Sequence, residues 1–143
     1  MSTRRLFLGA LALAPLPWAA LAADDALAAA IREATGGREP VDGGITLTAP
    51  SVAENGGQVP VTVTVDVPQT PLLSATAIHL FATRNPTPGI ASFRLSLALA
   101  RAEVTTRIRL AEAQVVIAIA ELSDGTLRRA VAEVRVTTGG CLA

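Results

Sequence analysis

The chain has 143 residues, of which 50% are hydrophobic and 3% aromatic, and its formal charge at neutral pH is zero. This length fits one domain with a sizeable core and leaves little for a second. The balanced charge argues against a nucleic-acid partner, which would require a strongly basic surface.

The first 22 residues have the features of an export signal. Thr3-Arg4-Arg5-Leu6-Phe7-Leu8 is a twin-arginine pattern, and the apolar run over 6–21 that overlaps it contains Pro15 and Pro17. A membrane-spanning helix needs about 20 uninterrupted apolar residues, so this run is too short. Small residues in Ala20-Leu21-Ala22 predict cleavage before Ala23. An ordinary secretory signal is the alternative, and both routes lead out of the cytoplasm. No membrane partner is predicted.

A short helix is predicted at the start of the mature chain, from Ala26 to about Thr35. Asp24 and Asp25 are candidates for its N-cap, and Gly36-Gly37 would end it. Spacings of three and four place one apolar stripe on the side expected to pack against the domain, and this stripe contains Leu27, Ile31 and Ala34.

From Ile45 onward, apolar residues alternate with polar ones, which is the period of β-strands. The clearest case runs from Val59 to Val67, where every second residue is valine. Turn signals such as Asn55-Gly56-Gly57, Asn85-Pro86 and Asp124-Gly125 separate the segments. Seven strands are predicted, at about 45–48, 59–67, 77–83, 93–99, 102–110, 115–121 and 127–138.

The segment Val115–Glu121 is apolar on both faces, which predicts a central strand or one covered by a partner. Because Val115–Ala120 offers more apolar surface than one sheet face can bury, we expect the isolated chain to self-associate or to be poorly soluble until its companion is added.

Seven short strands separated by turns are typical of a mainly β, immunoglobulin-like antiparallel β-sandwich. The predicted organisation is a signal peptide over 1–22, a β-sandwich domain with a short N-terminal helix over 23–138, and a flexible C-terminal Gly-Gly-Cys arm over 139–143.

Cys141 is the only cysteine in the sequence, and it follows Gly139 and Gly140. Two glycines without side chains predict a hinge that lets the thiol move. A single cysteine cannot form an internal disulfide, so in an exported protein it is either a reactive thiol or half of an intermolecular disulfide. An accidental cysteine on a frayed tail is the third possibility.

An enzyme is the weakest of the function classes. A cysteine nucleophile needs a base within hydrogen-bond reach, and the only histidine, His79, lies about sixty positions earlier in the middle of a predicted strand. We expect His79 to be an ordinary half-exposed strand residue. One cysteine and one histidine also make an incomplete set for a tetrahedral zinc site, so no metal and no other cofactor is predicted.

Nine short blocks in this order resemble the SoxY family, the sulfur-carrier subunits of the bacterial thiosulfate-oxidising system. The resemblance covers nearly the whole mature chain, and its blocks are Gly44-Ile45-Thr46-Leu47, Ala53-Glu54-Asn55-Gly56, Val59-Pro60-Val61, Ala77-Ile78-His79-Leu80-Phe81-Ala82, Asn85-Pro86, Ala91-Ser92-Phe93, Thr106-Arg107-Ile108-Arg109-Leu110-Ala111, Ser123-Asp124-Gly125 and Val136-Thr137-Thr138-Gly139-Gly140-Cys141.

The resemblance implies a periplasmic carrier without catalytic activity of its own. Cys141 would be the point of covalent attachment for sulfur intermediates, with Gly139 and Gly140 as its hinge. The implied partners are a SoxZ-like companion subunit, a cytochrome c complex that ligates thiosulfate to the cysteine, a sulfate-releasing hydrolase and, in some organisms, a sulfur dehydrogenase.

The sequence departs from the family at its end. The family's arm usually ends Gly-Gly-Cys-Gly-Gly, whereas Leu142 and Ala143 follow the cysteine here. Bulk beside the thiol is expected to limit entry into a narrow partner channel. The rival hypothesis from another class is a structural or adhesive sandwich module whose Cys141 forms an intermolecular disulfide.

Overall fold

The computed structural model describes residues 18–140, with side chains from residue 22. It contains one helix, α1 (Trp18–Thr35), and nine strands. The strands are β1 (Val41–Asp42), β2 (Ile45–Thr48), β3 (Val52–Asn55), β4 (Val59–Val65), β5 (Ala75–Ala82), β6 (Gly89–Arg94), β7 (Glu103–Ile108), β8 (Gln114–Leu122) and β9 (Leu127–Thr138).

The strands form the predicted mainly β sandwich. One sheet has the order β1-β9-β8-β5-β6, with β3 also paired to β9, and the other has the order β2-β4-β7. The neighbours are antiparallel except for β1 and β3, which both run parallel to β9. These two short strands were not predicted, because Val41–Asp42 has only two residues and Val52–Asn55 does not alternate between apolar and polar residues.

The core between the sheets follows the sequence alternation. Val59, Val61, Val63 and Val65 are buried along β4 while the residues between them are not. From the facing sheet, Ile78, Leu80, Val116 and Val134 are buried against the same cluster. The period of two therefore predicted correctly which face of these strands is interior.

The helix begins earlier than predicted. We expected a start at Ala26 with Asp24 or Asp25 as the N-cap, but α1 begins at Trp18 and passes through both aspartates. The alanine-rich residues before them favour helix and contain no breaker, so the helix continues. Its predicted end is confirmed: Gly36 and Gly37 have φ of 66° and 80°, and the Gly37 amide donates to the Arg32 carbonyl at 3.1 Å.

Strand β8 is central in its sheet, between β9 and β5, as its two apolar faces predicted. One face joins the core between the sheets, and the other lies under α1. This second cluster contains Phe81, Ile119 and Leu127, packed against Leu27, Ala30, Ile31, Ala34 and Ile117. The chain's own helix thus covers much of the apolar surface that we had assigned to a companion, and this surface no longer argues for one.

The predicted strand 93–99 is wrong in its bounds, since β6 covers Gly89–Arg94. Leu97 and Leu99 were expected to point inward but are 52% and 40% exposed. Ser96 ends the alternation, because its carbonyl accepts from the Leu99 amide at 3.1 Å and its hydroxyl accepts from the Ala98 amide at 3.1 Å. Asp124-Gly125 does lie in the turn between β8 and β9, although the loop from 123 to 126 is longer than the predicted two residues.

Within residues 18–140, no helix has the length and apolar content needed to cross a lipid bilayer. The twin-arginine pattern and most of the predicted signal lie outside the described residues, as do Cys141, Leu142 and Ala143.

Ile119→Ala should lower the free energy of unfolding by about 2–5 kcal/mol, because Ile119 is fully buried on the face that α1 covers. Urea unfolding measures this change. Val131→Ala is the control, since Val131 is 60% exposed on the neighbouring strand, and its cost should stay within about 0.5 kcal/mol. Equal costs for the two variants would mean that α1 does not cover this face.

Candidate functional site

The candidate site begins where β9 ends, at the root of the C-terminal arm. Strand β9 pairs with β8 as far as Val134. Beyond Val134 it pairs with β3, whose Asn55 lies opposite Thr138. Gly139 and Gly140 follow, and Cys141 is the next residue beyond the described chain. Its role as the attachment point therefore stays a prediction.

A continuous series of backbone hydrogen bonds holds the arm root. The Gly56 amide donates to the Thr138 carbonyl at 2.8 Å, and the Gly56 carbonyl accepts from the Leu110 amide at 2.8 Å. The Leu110 carbonyl in turn accepts from the Gly140 amide at 3.0 Å. The series thus connects the turn after β3, the segment after β7 and the arm.

The arm root passes so close to its neighbours that side chains have no room. A Cβ atom on Gly139 would collide with the Ala111 carbonyl oxygen. One on Gly140 would lie 2.9 Å from the carbonyl carbon and oxygen of Gly56. One on Gly56 would collide with the Leu110 carbonyl oxygen and lie 2.8 Å from the Gly140 nitrogen. Distances below 3 Å essentially never occur for real Cβ atoms, so all three positions require glycine.

Asn85 holds the segment that receives the arm. Its Nδ2 donates to the Arg109 carbonyl at 2.8 Å, and its Oδ1 accepts from the Ala111 amide at 3.0 Å. The side chain therefore binds the backbone on both sides of Leu110, as a neighbouring β-strand would. Gln114, which is buried, supports it by donating to the same Oδ1 at 2.8 Å.

Sequence reasoning assigned Gly56 to a turn and Asn85 to the end of a strand, and both assignments were incomplete. The contacts of Gly56 with Gly140 and of Asn85 with Arg109 and Ala111 join residues that are distant in the sequence, so they leave no periodic signal. The blocks containing Gly56 and Asn85 did contribute to the family resemblance, but that resemblance does not say what either residue touches.

A groove of about 400 Å³ opens between the edge strands β6 and β7, beside the arm root. Asn85 and Arg109, which flank the receiving segment, contribute to its wall, together with Arg107 and the apolar Ile90 and Ile108. The groove thus combines apolar lining with two arginine residues, of which Arg109 directly precedes Leu110.

His79 is not the half-exposed residue that we predicted, since it is only 9% exposed. Its Nδ1 lies 2.7 Å from Ser92 Oγ, and its Nε2 lies 2.7 Å from Glu121 Oε1. The other Glu121 oxygen accepts from Arg38 Nη2 at 2.7 Å. Both ring nitrogens are therefore engaged by neighbouring groups, which leaves neither available as a base for a cysteine.

The polar network lowers the pKa of Glu121. Burial of the carboxyl acts to raise it, but the hydrogen bonds from Arg38 and His79 and the electrostatic attraction of both partners outweigh burial. Arg38 also donates to the Gly125 carbonyl at 2.9 Å, so the network joins the loop after α1 to the turn between β8 and β9. Its role is to fasten these elements.

Among the described residues, no three His, Cys, Asp or Glu side chains are grouped so that they could hold a metal ion.

The fold and the arm root together define a β-sandwich whose last strand leads into Gly139 and Gly140, the two residues that precede Cys141 in the sequence. The sequence model described as "Sulfur oxidation protein SoxY" matches residues 31–141, and its match ends on Cys141. The chain therefore belongs to the SoxY family.

Solved structures agree with this assignment. The sulfur carrier protein SoxY from Chlorobium limicola f thiosulfatophilum is 34% identical, with a TM-score of 0.68, over 83% of this chain and 99% of that one. An E23A superoxide reductase (neelaredoxin) from Ignicoccus hospitalis has a TM-score of 0.59 at 21% identity, covering 76% of this chain and 86% of its own. This second likeness shows a shared fold alone. No curated protein sequence matches the chain.

Glu121→Gln should remove part of the dependence of stability on acid pH. A carboxyl whose pKa is lowered by folding stabilises the protein above its unfolded value of 4.5, and this contribution is lost as the pH falls through the folded pKa. The wild type should therefore exceed the variant in unfolding free energy near neutral pH, and the difference should shrink below pH 4.5.

Urea unfolding at a series of pH values measures this difference. Glu133→Gln, which removes an exposed carboxylate from β9, is the matched control and should show a smaller dependence. A gap between wild type and Glu121→Gln that is constant with pH would contradict the role assigned to the network.

Proposed function

We propose that this protein carries sulfur intermediates covalently on Cys141 during thiosulfate oxidation. The observation that carries the proposal is the match to the SoxY family, which extends to Cys141 itself. The 34% identical structure is that of a sulfur carrier protein, and the match covers 99% of that chain. Cys141 directly follows Gly140 in the sequence, and the place of a thiol next to the end of the last strand supports a carrier role.

The chemistry requires only one thiol from this chain. Cys141 and thiosulfate form an S–S bond to give a cysteine-bound S–SO₃⁻ group, with release of one proton and two electrons, which a cytochrome c complex accepts. Water then cleaves the bond to the sulfonate at a hydrolase, releasing sulfate and two protons and leaving a persulfide anion on Cys141. Catalysis lies with the partners, and this protein provides the attachment point.

Two features near the arm root suit this cargo. The intermediates are anions with apolar sulfane sulfur, and the groove beside the root offers Arg107 and Arg109 together with Ile90 and Ile108. Guanidinium groups complement sulfonate oxygens as they complement other oxyanions.

The proposed location is the periplasm, reached through the twin-arginine signal over residues 1–22. The proposed assembly contains a SoxZ-like companion subunit. The cytochrome c complex, the sulfate-releasing hydrolase and, where present, a sulfur dehydrogenase act on the arm in turn. These partners come from the family resemblance and from the chemistry of the cargo.

Protein purified from thiosulfate-grown cells should carry adducts of thiosulfate or sulfane-sulfur mass on the Cys141 peptide. Intact-mass and peptide mass spectrometry test this. The Cys141→Ser variant should carry none, because a hydroxyl does not form the S–S bond. If the native protein shows only a disulfide-linked dimer, it is a structural module and the carrier proposal fails.

Replacing Leu142 and Ala143 by glycine should raise turnover with a sulfate-releasing hydrolase from a system whose arm ends in Gly-Gly. Relief of a steric clash comparable to overpacking is worth about 1–3 kcal/mol, or about 5-fold to 150-fold in rate. Alkylation of Cys141 by a small reagent, the control, should barely change. Equal turnover of the native and glycine endings would show that the partner tolerates Leu142.

A further inference from the structure

We propose that Gly56 and Asn85 are positioning residues of the carrier arm. Together with Leu110 and Ala111 they form a clamp, here called the arm-root clamp, that holds Gly139 and Gly140 in the resting protein. The inference rests on the proposed function, since it concerns how Cys141 is presented. In this proposal, these residues determine how much of the arm can move.

The first argument is the hydrogen bonding of the root. In a free hinge the amide of Gly140 would face water, whereas here it donates to the Leu110 carbonyl at 3.0 Å. The acceptor belongs to a segment that is itself held on two other sides, by the Gly56 carbonyl and by the Asn85 side chain. The clamp therefore has a fixed acceptor for the arm.

The second argument is the reason for glycine. Positive φ is the usual cause for glycine in a turn, and Gly43, Gly44 and Gly125 show it. Gly56, Gly139 and Gly140 do not have a positive φ. Glycine is needed at these three positions because the backbones meet where a Cβ would collide. Space rather than conformational freedom explains them in this state.

The third argument is the side-chain support from the opposite side. Asn85 uses both ends of its amide on the backbone that flanks Leu110, and the buried Gln114 binds the same oxygen. A polar side chain that spans two backbone groups fixes their spacing. The Leu110 carbonyl is thereby kept in position to receive Gly140.

The clamp determines the reach of the thiol. While the arm-root clamp is closed, Gly139 and Gly140 do not add to the reach of the thiol, because the Gly140 amide is bound to the Leu110 carbonyl. Opening it would release Gly139 and Gly140 and add about 7 Å of reach, at roughly 3.3 to 3.6 Å per residue. A partner with a deep site therefore has to open the clamp, and a partner with a shallow site does not.

Hydrogen exchange of the Gly140 amide in the full-length wild-type chain tests the clamp without any substitution. The proposal expects protection of at least about tenfold over an unstructured peptide, from one hydrogen bond held by a packed neighbour. Exchange at the unprotected rate would overturn it.

Gly56→Ala tests the residue assigned to the clamp, since its methyl group would collide with the Leu110 carbonyl. Protection of Gly140 should be lost, and a spin label on Cys141 should become more mobile. Gly89→Ala is the matched control, because a Cβ there meets no atom within 4 Å and no positive φ is recorded for Gly89; it should leave both readouts unchanged. Unchanged protection in Gly56→Ala would overturn the proposal.

Asn85→Ala provides a second variant that adds no atoms and so introduces no clash. It should reduce Gly140 protection by several-fold while amides in the middle of β8 stay protected, which a general loss of stability would not produce. If Gly140 and the β8 amides lose protection together, Asn85 is only a structural residue and its assigned role fails.

The exchange measurements need no thiosulfate and no partner protein. A protected Gly140 without sulfur adducts on Cys141 would refute the carrier proposal and leave the clamp standing. Adducts on Cys141 with an unprotected Gly140 would refute the clamp alone.

Discussion

Burial of strand β8 on both faces is the constraint on which the rest of this structure depends. Apolar residues alternate between the two sides of the strand without a polar face, so each side must be covered. The β2-β4-β7 sheet covers one side, and α1 covers the other. The helix is thus a layer of the fold. Pairing with β8 in turn fixes the positions of its two neighbours, β9 and β5.

Strand β9 leads into the arm, and its pairing with β8 fixes where the strand lies. It pairs with β8 over most of its length and then extends past it, where the parallel strand β3 takes over as its neighbour. The direction in which the chain leaves the domain is therefore determined by two strands. Gly139 and Gly140, which precede Cys141 in the sequence, are therefore held at one position relative to the two sheets.

Two groups of polar side chains stabilise this framework, one beside the loop after α1 and the other at the arm root. The network of His79, Glu121 and Arg38 fastens the loop after α1 to the neighbouring strands, with contacts of 2.7 Å at each carboxylate oxygen. At the arm root, Asn85 performs a similar task on backbone groups. Both rely on side chains that satisfy several partners, because a partly buried polar group without partners would be costly.

The amino-acid sequence by itself determined the sandwich, the two apolar faces of β8 and the family, because alternating burial and a series of short motifs are local properties of the chain. It also located the glycine-cysteine end. Only the tertiary structure decided how Gly139 and Gly140 are held, since Gly56, Leu110 and Gly140 meet through backbone contacts that have no periodic signature. The support of Leu110 by the Asn85 side chain has none either. The burial of His79 and the covering of β8 by α1 were likewise beyond the sequence, because which layer covers a face depends on where a distant helix packs.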